Sequence, residues 1–361
     1  MSDFYFNLLS KYPHWDEVLS VLTYGGEAYF VSKHRQDLSE YKDPFGETHK
    51  VYAPSECSYD MPMVVNGSIH LETHPLSKGV IPYSSFKRKL AIEHTTGCSP
   101  WDFLQMVDLA KISRDGDPEF AQGCFLTFLM YKKFYDRFMK SDFTDTARGK
   151  DVFEGYKKLI DDLINTKYID VINIEPSQFW LDNVPYNEEK DDAICILMNW
   201  CNFKKMTDVQ KLSEIVQQIH QVSGRDIHIK LHSYSRESFL KYLNFPYVKI
   251  IKYDECSKYD IMDKYYTYFV DGTGIGYETA YRSQHFGRQI DIFNISGFAS
   301  EYDQFEGVKC MNVLPVCDQE DFIKGARQSN YPDDVIKDFF PHKSKMIPFE
   351  CYNEIKKRVN L

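Results

Sequence analysis

No Cys-x-x-Cys pair occurs in these 361 residues, although the chain holds nine cysteines. Their odd number and irregular spacing argue against a disulfide framework or a zinc module and favour a reducing, cytoplasmic setting. No run of about 18 apolar residues is present, so no segment is expected to span a membrane. The opening residues, Met1-Ser-Asp-Phe-Tyr-Phe6, lack a basic region followed by an apolar core, so no secretory signal is expected. Basic residues are outnumbered, 43 Lys and Arg against 53 Asp and Glu, which leaves a net charge of −10. A chain of that sign lacks the basic face that binding to nucleic acid requires, so no nucleic-acid partner is expected. A local basic pocket for a phosphate-bearing ligand stays open. Repeats and low-complexity tracts are absent too. His70 and His74 stand four apart, but Pro75 and the extended context deny them a shared helix face, and no metal site is expected.

What the chain does hold is apolar surface. Hydrophobic residues make up 43% of it, enough for a globular protein of two ordinary domains or one large one. Aromatics reach 16%, with 26 Tyr and 26 Phe, which suits stacking or carbohydrate surfaces and equally a low-GC codon bias.

The most informative stretch is residues 226–294. Asp226–His232 alternates apolar and polar residues as a strand does and breaks at Ser233-Tyr-Ser235. Val248–Tyr253 reads as a second strand, Lys258–Lys264 as a short helix and Tyr266–Val270 as a third strand. That strand runs into Asp271-Gly-Thr-Gly-Ile-Gly276, after which Tyr277–Ser283 reads as helix and Gln289–Asn294 as strand. Strands alternating with helices imply a parallel sheet, whose ligands sit beyond the carboxyl ends of the strands. His232 and the Asp271 turn both lie at such ends.

Upstream, Ala193–Trp200 reads as a strand, followed by a helix whose face is Val209, Leu212, Ile215, Val216 and Ile219. Thr207 with Gln210 has capping-box spacing, and Gly224 ends the helix. Residues 1–185 are less regular. Glu27–Ser32, Met63–Val65 and Tyr168–Ile174 are strand-like. Phe120–Met139 carries Phe125, Phe128, Leu129, Tyr131, Phe134, Phe138 and Met139 at helical spacing and is expected to be a core helix. Glu175–Asp191 is polar and punctuated by Pro176 and Pro185, which suits an interdomain linker. The expected division is 1–185, 192–335 and a helical segment 336–361 that returns to the first domain, with helices over Asp333–Phe340 and Phe349–Val359.

Three glycines in five positions permit positive φ and close approach of backbone amides to an anion, and the following helix N-terminus adds positive charge. Thr273 can donate a hydroxyl to phosphate, Gly274 its amide, and Glu278 can accept from ribose hydroxyls. A plain strand-to-helix turn is the competing reading. His232, followed by Ser233, Ser235 and Arg236, can neutralise phosphate, or can simply be a satisfied surface histidine. In the first half, Glu93-His94-Thr-Thr-Gly-Cys-Ser-Pro100 sets a histidine before a turn, where it can take a proton from an acceptor hydroxyl or merely occupy an N-cap loop.

The 226–294 block resembles the bacterial CDP-glycerol glycerophosphotransferases and related capsule and teichoic-acid transferases. In that family a strand ends in His-Pro, matched here by His232-Ser233 with serine in place of proline. A Tyr-Asp-Leu-Leu-like helix follows, matched by Lys258–Asp263. The family's Thr-Asp-Tyr-Ser-Ser-Ile-Gly-Phe-Asp/Glu motif is matched by Val270–Glu278. The same stretch is similar to the Asp-Ser-Gly-Gly-x-Gln-Glu-Glu motif of UDP-GlcNAc 2-epimerases, and Glu93–Pro100 looks more loosely like the family's Trp-His-Gly-Thr-Pro segment, whose histidine serves as base.

The resemblance implies an α/β fold of GT-B type, with two Rossmann-like domains whose parallel sheets face a cleft. It implies a glycosyltransferase of surface-glycan synthesis that uses a nucleotide-activated donor and no metal or other cofactor. The implied acceptor is a saccharide or glycolipid, which leaves room for peripheral membrane association. His94 is then the base, and His232, Ser233, Ser235, Asp271, Thr273, Gly274 and Glu278 hold the donor. Glycerophosphoryl transfer from CDP-glycerol, an epimerase-like reaction on a UDP-sugar, and a catalytically silent carbohydrate-binding protein are the alternatives.

Overall fold

The computed structural model describes residues 4–7, 28–31, 40–42, 48–52, 56, 63–66, 88–92, 107–108, 110–111, 114–115, 125–131, 135–136, 139, 144–145, 150–172, 177–198, 206–231, 241–252, 255–271, 273–295, 305–306, 316–329, 340 and 347–359. The chain divides into two compact units. One comprises Met1–Lys140, Asp151–Val184 and Pro341–Leu361, the other Ser141–Lys150 and Pro185–Phe340.

The first unit is built on an eight-stranded sheet. Its strands are β1 (Phe4–Asn7), β2 (Ala28–Val31), β3 (Glu40–Lys42), β4 (Thr48–Tyr52), β5 (Met63–Asn66), β6 (Arg88–Ile92), β7 (Phe125–Tyr131) and, after β8 (Thr144–Asp145) of the other unit, β9 (Ile169–Ile172). They lie in the order β3-β4-β2-β1-β5-β6-β7-β9, all neighbours parallel except the β3–β4 edge pair. The parallel strands, numbered in chain order, run 3-2-1-4-5-6-7, winding outward in both directions from β1 as a Rossmann sheet does. Helices α1 (Lys150–Asn165) and α2 (Ser177–Asn183) belong here. Ile160, Leu163, Phe179, Trp180 and Leu181 are buried on them.

One sequence expectation fails in this unit and another is incomplete. Phe125–Tyr131 is a strand, not part of a core helix, and it pairs in parallel with β6 on one side and β9 on the other. An interior parallel strand is apolar at almost every position, so a seven-residue run of this kind satisfies the helical and strand templates alike. Phe134 and Phe138 lie outside the described residues. The segment expected to be a linker contains the boundary of the two units, between Val184 and Pro185, but it also holds α2, with Trp180 only 1% exposed, because Phe-Trp-Leu carries enough apolar surface to dock despite polar flanks.

The second unit has a five-stranded, wholly parallel sheet made of β10 (Asp191–Leu197), β11 (Ile227–Lys230), β12 (Val248–Ile251), β13 (Tyr265–Val270) and β14 (Asp291–Asn294). The order β12-β11-β10-β13-β14 is 3-2-1-4-5 in chain order, a second Rossmann pattern. Helix α3 (Met206–Ser223) buries the expected face, Val209, Leu212, Ile215, Val216 and Ile219, against Ile194, Ile196, Ile227, Ile229, Phe269 and Phe293. Each such side chain contributes ~1.5–3 kcal/mol. Strand alternation sends Cys195, His228, Lys230 and Tyr268 to the opposite face, where α4 (Lys258–Lys264) and α5 (Gly274–His285) pack on each other. The Tyr268 hydroxyl lies 3.0 Å from the Ile261 carbonyl and 2.7 Å from that of Met262, which seats α4 on that face.

Punctuation decides the element ends. Gly224 adopts φ +68 just past α3, and its amide donates to the His220 carbonyl at 2.7 Å. A side chain there would force a left-handed conformation that glycine adopts without strain. Thr207 lies inside α3, which begins at Met206. Capping boxes occur instead at Ser257 with Asp260, ahead of α4, and at Asp318 with Asp321, ahead of α6 (Gln319–Ile323). The pair β8–β15, the latter Phe305–Glu306, is antiparallel. Helix α7 (Ile347–Val359) belongs to the first unit, where it packs against β6 and α2. Among the described residues no helix is long and apolar enough to cross a membrane.

Candidate functional site

In the 3-2-1-4-5 sheet the chain turns one way after β10 and the other way after β13, so those neighbouring strands flank the switch point. Ligands of such sheets bind beyond the carboxyl ends of the strands at that point. β13 delivers Asp271 there. Its carboxyl-bearing residue is 2% exposed, and its amide donates to the Leu197 carbonyl at the end of β10, at 3.0 Å.

The turn that follows is short. Thr273 is the N-cap of α5 with extended backbone (φ −110, ψ 145), its side chain makes no cap hydrogen bond, and its carbonyl accepts from the Gly276 amide at 3.1 Å. A 12-residue helix thus starts at the switch point without a side-chain cap on its first amides, where its dipole favours an anion. The expected glycine concavity takes another form. Gly274 and Gly276 are the first and third residues of α5, and the described glycines with positive φ are Gly224, Gly287 and Gly325. Gly274 and Gly276 are helical, and they leave the helix start unencumbered by side chains. Gly272 lies outside the described residues.

Glu278 is one turn into α5, below Gly274 on the same helix face. It is 7% exposed, and its Oε2 lies 3.3 Å from the Nζ of Lys258 on α4, itself buried. One further turn along, Arg282 is wholly buried and makes a bidentate pair with Asp263, Nε to Oδ1 at 2.6 Å and Nη2 to Oδ2 at 2.7 Å. Nη2 also donates to the Pro185 carbonyl at 2.9 Å, and Asp263 accepts the Asn187 amide at 2.9 Å and, at its carbonyl, Lys190. The guanidinium lies over the rings of Tyr186, Tyr259 and Phe286. Burial, followed by the Asp263 charge, pushes the Tyr186 hydroxyl up to about 12, so it stays protonated.

Two more polar groups stand at the same sheet edge. Lys230, 5% exposed at the end of β11, donates to the Lys252 carbonyl at 2.7 Å. Asn294 ends β14 and donates from Nδ2 to the Val316 carbonyl at 3.3 Å. At the other end of the sheet, His228 bonds the Tyr265 hydroxyl at 2.8 Å and stands 3.7 Å from Asp191. It is thereby structural, and burial holds its pKa below the ordinary value.

Of the residues singled out from sequence, Asp271, Thr273, Gly274 and Glu278 share one turn and one helix start. His94, His232, Ser233 and Ser235 lie outside the described residues. Lys258, Asp263 and Arg282 escaped the sequence reading. Lys258–Lys264 is charged at four of its seven positions, so no local pattern marked them. Among the described residues no group of three or more His, Cys, Asp or Glu is placed to hold a metal ion.

No family model matches the chain, and no curated protein matches its sequence. Solved structures do. A UDP-GlcNAc 2-epimerase from Methanocaldococcus jannaschii is similar at 10% identity over 99% of both chains, with a TM-score of 0.45. The wall teichoic acid polymerase TagF, soaked with CDPG, is similar at 10% identity over 99% of this chain and 88% of its own, with a TM-score of 0.49. Arabidopsis thaliana UGT89C1, complexed with UDP-L-rhamnose, is similar at 9% identity over 100% of both, with a TM-score of 0.44. The α/β character of the chain, two Rossmann-like parallel sheets in one polypeptide, rests on the strand orders themselves.

Proposed function

We propose that the chain is a GT-B transferase that moves a glycosyl group from a nucleotide-activated donor to a saccharide hydroxyl in surface-glycan synthesis. The observation that carries this reading is the start of α5, a helix N-terminus without a side-chain cap at the switch point of a 3-2-1-4-5 sheet, with a buried carboxylate one turn inside. The helix start suits a donor's phosphates, with the Gly274 amide and Thr273 hydroxyl as donors, and the Glu278 carboxylate suits the ribose hydroxyls. His232, Ser233 and Ser235, which follow β11 in the sequence, are the further phosphate contacts of this reading.

In the reaction an acceptor oxygen bonds to the anomeric carbon as the bond from that carbon to the donor phosphate breaks. The nucleotide leaves with the electron pair, and His94 takes the hydroxyl proton. Helix dipole and hydrogen-bond donors stabilise the charge on the departing phosphate. An epimerase-like reading needs carboxylates available for proton transfer, and the pairing of Glu278 with Lys258 weighs against it.

The test is a panel of CMP, CDP, UDP and GDP in a thermal-shift assay, followed by assay of nucleotide-sugar and CDP-glycerol hydrolysis without acceptor. A ligand at 100 times its dissociation constant stabilises by about 2.7 kcal/mol. A shift with a nucleotide and release of sugar from its conjugate is the expected result. Release of glycerol phosphate alone assigns the narrower glycerophosphotransferase activity, and no shift with any nucleotide overturns the reading.

A further inference from the structure

The interface between α4 and α5 contains two buried ion pairs of opposite polarity, and they are not equivalent. Arg282 with Asp263 is bidentate, has side chains 0% and 1% exposed, and by itself fixes how the two helices meet. Lys258 with Glu278 is a single contact at 3.3 Å with both side chains 9% exposed, at the end of the interface nearest the sheet's carboxyl edge. Burying two charges costs several kcal/mol per ion, and apolar residues of similar size would pack such a contact at no loss. Helix packing therefore does not account for the second pair.

The geometry accounts for it in another way. Lys258 engages Oε2 of Glu278, and no hydrogen bond to Oε1 occurs among the described residues. The ammonium holds the carboxylate by that one oxygen and leaves Oε1 to spare. Glu278 follows Gly274 by four residues, about 6 Å along the helix axis from the amides suited to phosphate. A phosphate at the helix start brings the ribose attached to it to that depth.

We propose that Lys258 is a positioning residue that makes this site select ribonucleotides over 2′-deoxyribonucleotides. It acts through Glu278 and does not itself touch the ligand. The inference rests on the nucleotide-donor reading and adds to it the group that sets sugar discrimination. A charged acceptor that loses its hydroxyl partner forfeits roughly 10- to 100-fold in affinity, and that is the discrimination expected of the intact pair.

The test is calorimetric titration of each ribonucleoside diphosphate that binds, and of its 2′-deoxy counterpart, into the wild type, Lys258→Met, Lys258→Arg and Glu278→Gln. The wild type is expected to prefer the ribonucleotide by about tenfold or more. Lys258→Met and Glu278→Gln should bring that ratio close to one while changing affinity for the deoxynucleotide little, and Lys258→Arg should keep most of it. A merely structural lysine would lower the melting temperature and leave the ratio unchanged. A wild-type ratio in folded Lys258→Met overturns the inference. Should that variant not fold, a collapsed ratio in Lys258→Arg or an intact one in Glu278→Gln overturns it as well. Wild-type protein that binds nucleotides without a ribose preference overturns the inference and leaves the donor reading standing, whereas absence of any nucleotide binding overturns both.

Discussion

Arg282 is the clearest case of a charge the fold has committed to its interior. Its guanidinium is wholly buried, and it joins α5 to α4 and to the Pro185 carbonyl at once. Arg282→Met removes one partner and leaves the Asp263 carboxylate uncompensated, which should cost about 3–5 kcal/mol. Adding Asp263→Asn should recover part of that loss, because the amide oxygen still accepts from the Asn187 backbone and carries no charge. Urea titration of both variants checks this, and a double variant less stable than the single would contradict it. His228 gives a pH prediction with a definite sign. Burial depresses its folded pKa, with Asp191 opposing, so the folded state favours the neutral ring. Its stability contribution is fully present above the unfolded value of about 6.5 and is lost as pH falls through the lower folded value. Stability should therefore fall as pH drops below about 6.5, and His228→Gln should flatten that slope in urea midpoints taken on the acid side.

Elements were legible where their ends were marked. Lys258–Lys264 reads as a helix from sequence and is one, because Ser257 and Asp260 cap each other's backbone amides. Ser257→Ala should cost about 0.5–2 kcal/mol, measured as a shift in the urea midpoint at unchanged slope. Gly224 marks the end of α3 through a conformation few other residues adopt. The Phe125–Tyr131 strand was not legible, since it is apolar at every position except Thr127 and its partners, Arg88–Ile92 and Ile169–Ile172, lie 37 and 44 residues away from its start. Only pairing separates such a run from a helix. Arg282 and Asp263 were hidden for a related reason. Their 19-residue separation carries no local pattern, and each looks like an ordinary surface charge until α4 and α5 meet. The turn after β13 was located correctly, but Gly274 and Gly276 belong to the helix, because glycines at a helix start and glycines in a bent loop give the same sequence.

In the proposed transfer the labour of handling two substrates is divided between the two Rossmann-like units. His94 belongs to the unit of the eight-stranded sheet, while His232 and the α5 start belong to the other. If the proposed donor contacts stand, chelation with EDTA should leave turnover unchanged, as every group assigned to the phosphates is organic. Loss of turnover restored by magnesium or manganese would count against that. The two histidines should then fail in different ways. His94→Ala removes the proton acceptor, so the turnover number should fall by roughly 10²–10⁴-fold, the range of general acid–base catalysis. Its affinity for the donor nucleotide should barely move, since the assigned donor contacts lie in the other unit. His94→Gln should be similarly slow, because an amide can hydrogen-bond the acceptor hydroxyl but cannot take its proton. His232→Ala should weaken donor binding together with rate, because a phosphate contact is made in the ground state as well as in the transition state. Calorimetry for nucleotide affinity beside steady-state turnover separates these patterns. Near-normal turnover in folded His94→Ala would remove the base from that residue, and unchanged nucleotide affinity in His232→Ala would leave the phosphates to the α5 start alone.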